Sequence, residues 1–182
     1  MERPIILSIL ICHLPHRIHE LERLMDCLQP SRFSESVEMC IDDGEGSIGE
    51  KRNRLIDKAK GEYIAFIDDD DTVSDNYLEL CIESLKVKPD CVGITGTIMY
   101  QGTERVFKHS IQYACWYTGS NGTFYRTPNH LNPIKKVYAL KARFPEIMSG
   151  EDITYSKRIR PMLKKEVMIK DPIYFYTPSV HV

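Results

Sequence analysis

No two cysteines in this 182-residue sequence stand close enough to form a CxxC pair; the six fall at positions 12, 27, 40, 81, 91 and 115. That spacing speaks against a structural zinc site and against a small disulfide framework, and a reduced, cytoplasmic setting is the expectation. Neither sign of charge is in excess. Lys and Arg number 24 against 26 Asp and Glu, a formal net charge of −2, which excludes a general nucleic-acid binder. No apolar run is long enough to span a bilayer: Ile5 to Cys12 is the longest, and Ser8 interrupts it. Its flanks are wrong for a secretory leader, because Glu2 and Arg3 nearly cancel and no small-residue cleavage site follows. Internal repeats and low-complexity stretches are lacking too. The Asn121-Gly122-Thr123 sequon has meaning only in a secreted chain. With 42% hydrophobic and 27% charged residues, the composition is that of one folded domain, expected over 1–182.

The first half alternates strand and helix signals. Ile5 to Cys12 reads as a strand buried on both faces. Ile18, Leu21, Leu24, Met25 and Leu28 share one helical face, and Pro30 stops that helix. Val37 to Ile41 is a second strand running into the turn signal Asp42-Asp43-Gly44. Ser47-Ile48-Gly49-Glu50 fits a capping box, and Gly61 is expected to take the left-handed position that ends the helix. Tyr63 to Ile67 is a third strand. Ser74 or Asp75 is expected to cap another helix, with Leu78, Cys81, Ile82 and Leu85 inward. Strand–helix repeated three times predicts a mostly parallel sheet covered by helices, over about 1–92. From about 93 to 182 the pattern turns antiparallel. Cys91–Met99 and Val106–Trp116 read as strands, Gly102 and Asn121-Gly122 as turns, and Glu151 to Arg160 as a helix. Val167–Ile169 and Ile173–Tyr176 read as short closing strands.

Asp68 to Asp71 follow the apolar strand Ile64-Ala65-Phe66-Ile67 directly. Four adjacent carboxylates repel unless a cation or full solvation compensates. The carboxyl end of a strand in an α/β sheet is also where ligands bind. Residues two apart point the same way on extended chain, so Asp68 and Asp70 can share one divalent ion, and their hard oxygens favour Mg²⁺ or Mn²⁺. The alternative is a solvated acidic turn at the start of the next helix, a role that Asp71 suits. Asp42 and Asp43 end a strand on the same edge, where a carboxylate can accept from a nucleobase N–H such as N3 of uracil. In Lys51-Arg52-Asn53, a guanidinium in the first turns of a helix suits a diphosphate, while Lys51 is expected to be solvated at the surface.

These residues, in this order, resemble glycosyltransferase family 2 on the GT-A fold. The matching stretches are Ser8-Ile9-Leu10-Ile11 followed by Arg17, Ile41-Asp42-Asp43-Gly44, Gly49 to Asn53, Gly61 to Asp71, Asn129-His130-Leu131-Asn132-Pro133 and Ser149-Gly150-Glu151-Asp152. Similar compact single-domain enzymes include ones encoded by large DNA viruses and phages, so a host cytoplasm is a further possible setting. The resemblance implies a Rossmann-like nucleotide-binding sheet with an added smaller antiparallel sheet. It also implies an inverting, metal-dependent transfer of a sugar, of hexose type, from a nucleoside-diphosphate sugar to a carbohydrate acceptor. In that reading Asp43 meets the base, with Asp42 beside it; a carboxylate there makes UDP the favoured carrier. Arg52 and Arg17 lie near the nucleotide, Asp69 reaches the ribose, and Asp68 and Asp70 form the DxD, with Asp70 the direct metal ligand. The Glu151–Asp152 pair carries the general base, assigned to Asp152. His130 would contact sugar or complete the metal shell, and Trp116 would stack on a sugar face; both are equally at home as packing residues.

Two other readings compete. Asp68, Asp70 and Thr72 also fit the Asp-x-Asp-x-Thr of haloacid-dehalogenase phosphohydrolases, with Asp68 as nucleophile, Asp70 as acid/base and Lys135 or Lys136 as the lysine. That family places the motif on its opening strand, whereas here two strand–helix units precede it. The third reading is a sugar-binding module without catalysis.

Overall fold

The computed structural model describes residues 4–177. The strand β1 (Leu7–Cys12) is buried along its whole length. Its side chains alternate between two cores. Leu7, Ile9 and Ile11 pack with the helices α1 (Ile18–Leu28) and α3 (Tyr77–Leu85). Leu10 and Cys12 pack with α2 (Ile48–Lys58), α4 (Lys136–Ala142) and α5 (Glu151–Ile159). Period-two alternation on a strand with helices over both faces therefore gives a three-layer α/β/α arrangement. Each fully buried aliphatic side chain contributes about 1.5–3 kcal/mol relative to exposure.

The sheet order explains where ligands can enter. β2 (Val37–Asp42) and β3 (Tyr63–Phe66) flank β1, all parallel. β9 (Ile134–Lys135) joins β3 antiparallel and bridges to β5 (Cys91–Tyr100). β5 forms a hairpin with β6 (Thr103–His109), turning at Gln101 and Gly102, both at positive φ. β8 (Phe124–Arg126) runs parallel to β6, and β7 (Tyr117–Thr118) pairs with β8. β10 (Glu166–Tyr176) lies parallel to β5 and antiparallel to β4 (Thr72–Val73). The antiparallel portion expected in the second half is thus hydrogen-bonded into one ten-stranded mixed sheet. No described helix is long and apolar enough to cross a membrane. All six cysteines are free thiols.

Several local expectations change. The capping box forms as read, Ser47 accepting from Glu50 N and Glu50 from Ser47 N. Gly61 does not end the helix, however; α2 stops at Lys58, and Gly61 is not at positive φ. Its lack of a side chain serves a close approach, because a Cβ there would lie 2.7 Å from Ser8 N and Oγ. Ser8 Oγ accepts from Gly61 N and donates to Glu38, which accounts for the one polar residue in β1. Helix α3 is preceded by Asn76, not Ser74 or Asp75, and has no side-chain cap. The strand expected to reach Trp116 ends at His109. The two closing strands are one, kept continuous through Pro172 by register shifts.

Candidate active site

The strands β1 and β3 end together, and a cleft of about 490 Å³ opens there. Arg17, Lys51, Arg52, Asp68, Asp69, Asp70, His130, Glu151 and Asp152 all line it. A side pocket of about 220 Å³ adjoins and shares Asp68, His130, Asp152 and Tyr176 with the cleft. Most residues singled out in the sequence therefore meet at one place, from five separate segments.

The acidic run divides its labour. Asp68 is part-exposed to the cleft; its Oδ1 accepts from Arg52 at 3.1 Å and its Oδ2 lies 3.5 Å from His130 Nε2. Burial pushes the Asp68 carboxyl up, but the His130 ring and the Arg52 guanidinium outweigh it and hold the group well below the usual carboxylate range. Asp70 pairs with Arg17 at 2.8 Å, and burial raises its pKa. Asp69 is buried and anchors the loop after β1: it accepts from Leu14 N at 2.8 Å and Arg17 at 3.0 Å, with His13 Nδ1 at 2.9 Å. Asp71 does not cap α3. It is fully buried and accepts from Tyr174 OH and Thr177 N, tying the acidic turn to β10. Tyr174 OH in turn accepts from Asp68 N.

Arg52 is buried on α2 with its plane over Phe66 and Phe144, and it donates to both Asp68 and Glu151. Glu151 is buried with it, whereas Asp152 is part-exposed in the cleft wall and accepts from Ile153 N. Gly150, at φ +79°, turns the chain into α5 immediately before the pair.

His130 is held by buried asparagines. Asn129 Oδ1 accepts from Leu131 N, Asn132 Oδ1 accepts from Asn129 N, and the amide of Asn132 donates to Val92 O. The backbone is fixed, yet among the described residues neither ring nitrogen of the buried His130 makes a hydrogen bond, Nε2 only facing Asp68 Oδ2 at 3.5 Å. Trp116 lines the side pocket, its indole N–H donating to Thr127 at 2.9 Å.

Three placements differ from expectation. Lys51 is buried and lines the cleft, donating to His13 O at 3.1 Å; it is not solvated. Asp42 is buried and gripped by Arg54 through two nitrogens, at 2.8 and 3.0 Å, which lowers its pKa. Asp43 is exposed and lies outside the cleft lining, although Gly46 of the same loop belongs to it. Sequence reasoning missed Cys12 and Tyr176, also in the cleft. Burial pushes the Cys12 thiol up to about 12, so it is no nucleophile at neutral pH.

Among the described residues no group of three or more His, Cys, Asp and Glu side chains is arranged to hold a metal ion by itself. Two carboxylates in a cleft still fit Mg²⁺ or Mn²⁺, which take only one or two protein carboxylates when substrate phosphates supply the rest.

Comparison with known proteins fits this geometry. S. aureus TarS 1–349 in complex with UDP-GlcNAc superposes with a TM-score of 0.70 at 15% identity, covering 98% of this chain and 60% of that one. The mannosyltransferase PcManGT from Pyrobaculum calidifontis, in complex with GDP-Man and Mn²⁺, gives 0.60 at 13%, covering 98% and 59%. At such identities the likeness is one of fold, and it is the GT-A fold. The chain spans about 60% of the length of these solved structures. No curated protein matches significantly. The Asp68–Asp71 run follows the third strand and not an opening one, which speaks against the phosphohydrolase arrangement. Residues 31–144, well over half of the chain and including the acidic run, match the family described as Glycosyl transferase family 2, and the chain belongs to that family.

Proposed function

We propose that the protein transfers a sugar from a nucleoside-diphosphate sugar to an acceptor hydroxyl, with inversion and with a divalent ion. The observation that carries this reading is that Asp68 and Asp70 line one cleft with Asp152, which is far from them in sequence, at the carboxyl end of the parallel strands. In this reading Asp68 and Asp70 hold Mn²⁺ or Mg²⁺. When bound, that ion neutralises charge growing on the departing diphosphate.

The chain's own residues do the rest. Arg17 and Lys51 place positive charge on the cleft wall where a diphosphate would lie. Arg52 fixes the orientation of Asp68. Asp152 stands where the cleft and the side pocket meet, so an acceptor hydroxyl entering from that pocket would deliver its proton to the Asp152 carboxylate. One base and one in-line displacement invert the anomeric centre. Asp43, exposed on the loop that also carries Gly46, is the proposed contact to the base, and a uracil N3–H donor makes UDP the first choice over GDP. The two neighbours carry one of each nucleotide class, so the base is settled by measurement.

A thermal-shift series of nucleoside diphosphates and nucleotide sugars, each with and without Mn²⁺, tests the donor half. Selective, Mn²⁺-enhanced stabilisation by one base class is expected. Absence of any shift across the series would sink the reading. Donor binding without transfer to any acceptor would favour a non-catalytic sugar-binding module.

A further inference from the structure

The side pocket contains a cation that has no counter-ion among the described residues. Arg126 is half-buried with its guanidinium 5.2 Å from the Trp116 ring centroid and 5.1 Å from that of Phe124. One terminal nitrogen, Nη1, donates to Tyr117 O and Tyr125 O. Its remaining N–H groups bond nothing among the described residues, and no carboxylate there pairs with it. A part-buried guanidinium beside two aromatic rings stays charged and keeps free donors in a fork suited to a carboxylate or phosphate. The unbonded nitrogens are not among the buried unsatisfied atoms, so they stay open to an incoming anion.

The location gives this charge its meaning. Arg126, Trp116 and Phe124 lie in the part of the side pocket not shared with the main cleft, whereas Asp68 and Asp152 lie in the shared part. His109, the other ionisable group in the unshared part, is kept neutral by burial and accepts no role as counter-ion. Hydrogen bonds also tie this wall to the helix that carries Asp152. The Trp116 indole donates to Thr127, whose hydroxyl meets Ser156 on α5, the helix that begins at Glu151 and Asp152. Beyond Trp116 a further pocket of about 390 Å³ carries two more basic residues, Lys157 and Arg160, neither ion-paired among the described residues.

We propose that the side pocket is an acceptor site that reads an anionic group, with Arg126 pairing to a phosphate or carboxylate on the acceptor while the acceptor's hydroxyl faces Asp152. This deepens the transferase reading and rests on it: it names the acceptor class as an acidic or phosphorylated sugar or polyol.

The test is saturation-transfer NMR on the full chain, with Mn²⁺ replaced by Mg²⁺ and saturating amounts of whichever nucleoside diphosphate stabilises it most. Probes are glucose against glucose 6-phosphate and glucuronic acid, and glycerol against glycerol 3-phosphate. The charged members are expected to bind and the neutral parents to bind roughly tenfold more weakly. Arg126→Gln should abolish that preference, and Arg126→Lys should restore part of it. A preference for the phosphates alone assigns a phosphomonoester, and one for glucuronic acid alone a carboxylate. Equal binding of neutral and charged probes to the wild-type chain, no binding by any charged probe, or a preference that survives Arg126→Gln overturns the proposal. If Arg126→Gln does not fold, the wild-type comparison decides. Failure of the nucleoside diphosphate to bind is read separately and counts against the donor reading, not the acceptor class.

Discussion

Arg52 spans Asp68 and Glu151, giving one terminal nitrogen to each, although the two carboxylates stand 16 and 99 residues from it. The acid after β3 and the acid opening α5 are thereby held in one unit. Removing the arginine leaves two negative groups facing each other in a largely buried setting. Arg52→Ala is expected to lose about 3–5 kcal/mol of stability, the usual cost of breaking a buried pair. Arg52→Lys should recover only part of it, because an ammonium cannot span both partners. Urea denaturation measures both, and a wild-type midpoint for Arg52→Ala would show that the bridge contributes nothing to folding.

Asp152 and Glu151 should part company on substitution. Asp152 faces the cleft, so Asp152→Asn is expected to leave donor affinity nearly unchanged while transfer falls by about 10²–10⁴-fold, with the loss appearing in kcat. Glu151 is buried against Arg52, so Glu151→Gln should lower the Tm as well as activity. Transfer assays beside melting curves distinguish them. Normal transfer by Asp152→Asn would move the base elsewhere.

Metal dependence should run through Asp70. Mn²⁺ is expected to tighten nucleotide binding in the wild type, EDTA to reverse this, and Asp70→Ala to abolish the enhancement without unfolding the chain. Calorimetry with and without Mn²⁺ reads the effect. An undiminished enhancement in the variant removes Asp70 from the shell.

His109 predicts an acid-side loss of stability. Burial lowers its pKa from 6.5 to about 3, against the hydrogen bond that its Nδ1–H donates to Asn129 Oδ1, which acts the other way. Between those values the unfolded chain binds the proton and the folded one does not, so stability is full above about 6.5 and declines as pH falls. From pH 6.5 to 5 the decline from this residue is about 2 kcal/mol. His109→Gln should flatten the melting-temperature profile over that interval. An unchanged slope would assign the pH dependence to other groups.

The strand–helix order, the capping box and the cluster of acids after β3 were all legible because each is written locally. The continuous apolar run of β1 and the pairing of Ser47 with Glu50 need no distant partner to be recognised. The burial of Lys51 was not legible. On its own helix it reads as a surface residue, and only the His13 carbonyl, delivered by the loop after β1, makes the buried position tolerable. Asp71 likewise reads as a helix-start charge until Tyr174 on β10 and Thr177 just after it arrive. Helix α4 escaped notice because it is short, starts directly from β9 and has no side-chain cap. Val167–Ile169 and Ile173–Tyr176 looked separate because Lys170-Asp171-Pro172 breaks the pattern, yet a bulge absorbs the proline.

The strand β10 has a consequence for how the chain acquires its shape. Val73 on β4 and Cys91 on β5 wait for Tyr174 and Glu166, respectively, before their ladders close. Pairings of such long sequence separation are formed late, after much loop entropy has been lost. Until then β5 presents an open edge, the kind of surface that recruits other chains. A fragment that ends before β10 would keep that edge exposed permanently. The two halves consequently share one folding transition, and the molecule should melt as a single cooperative unit and not in two steps.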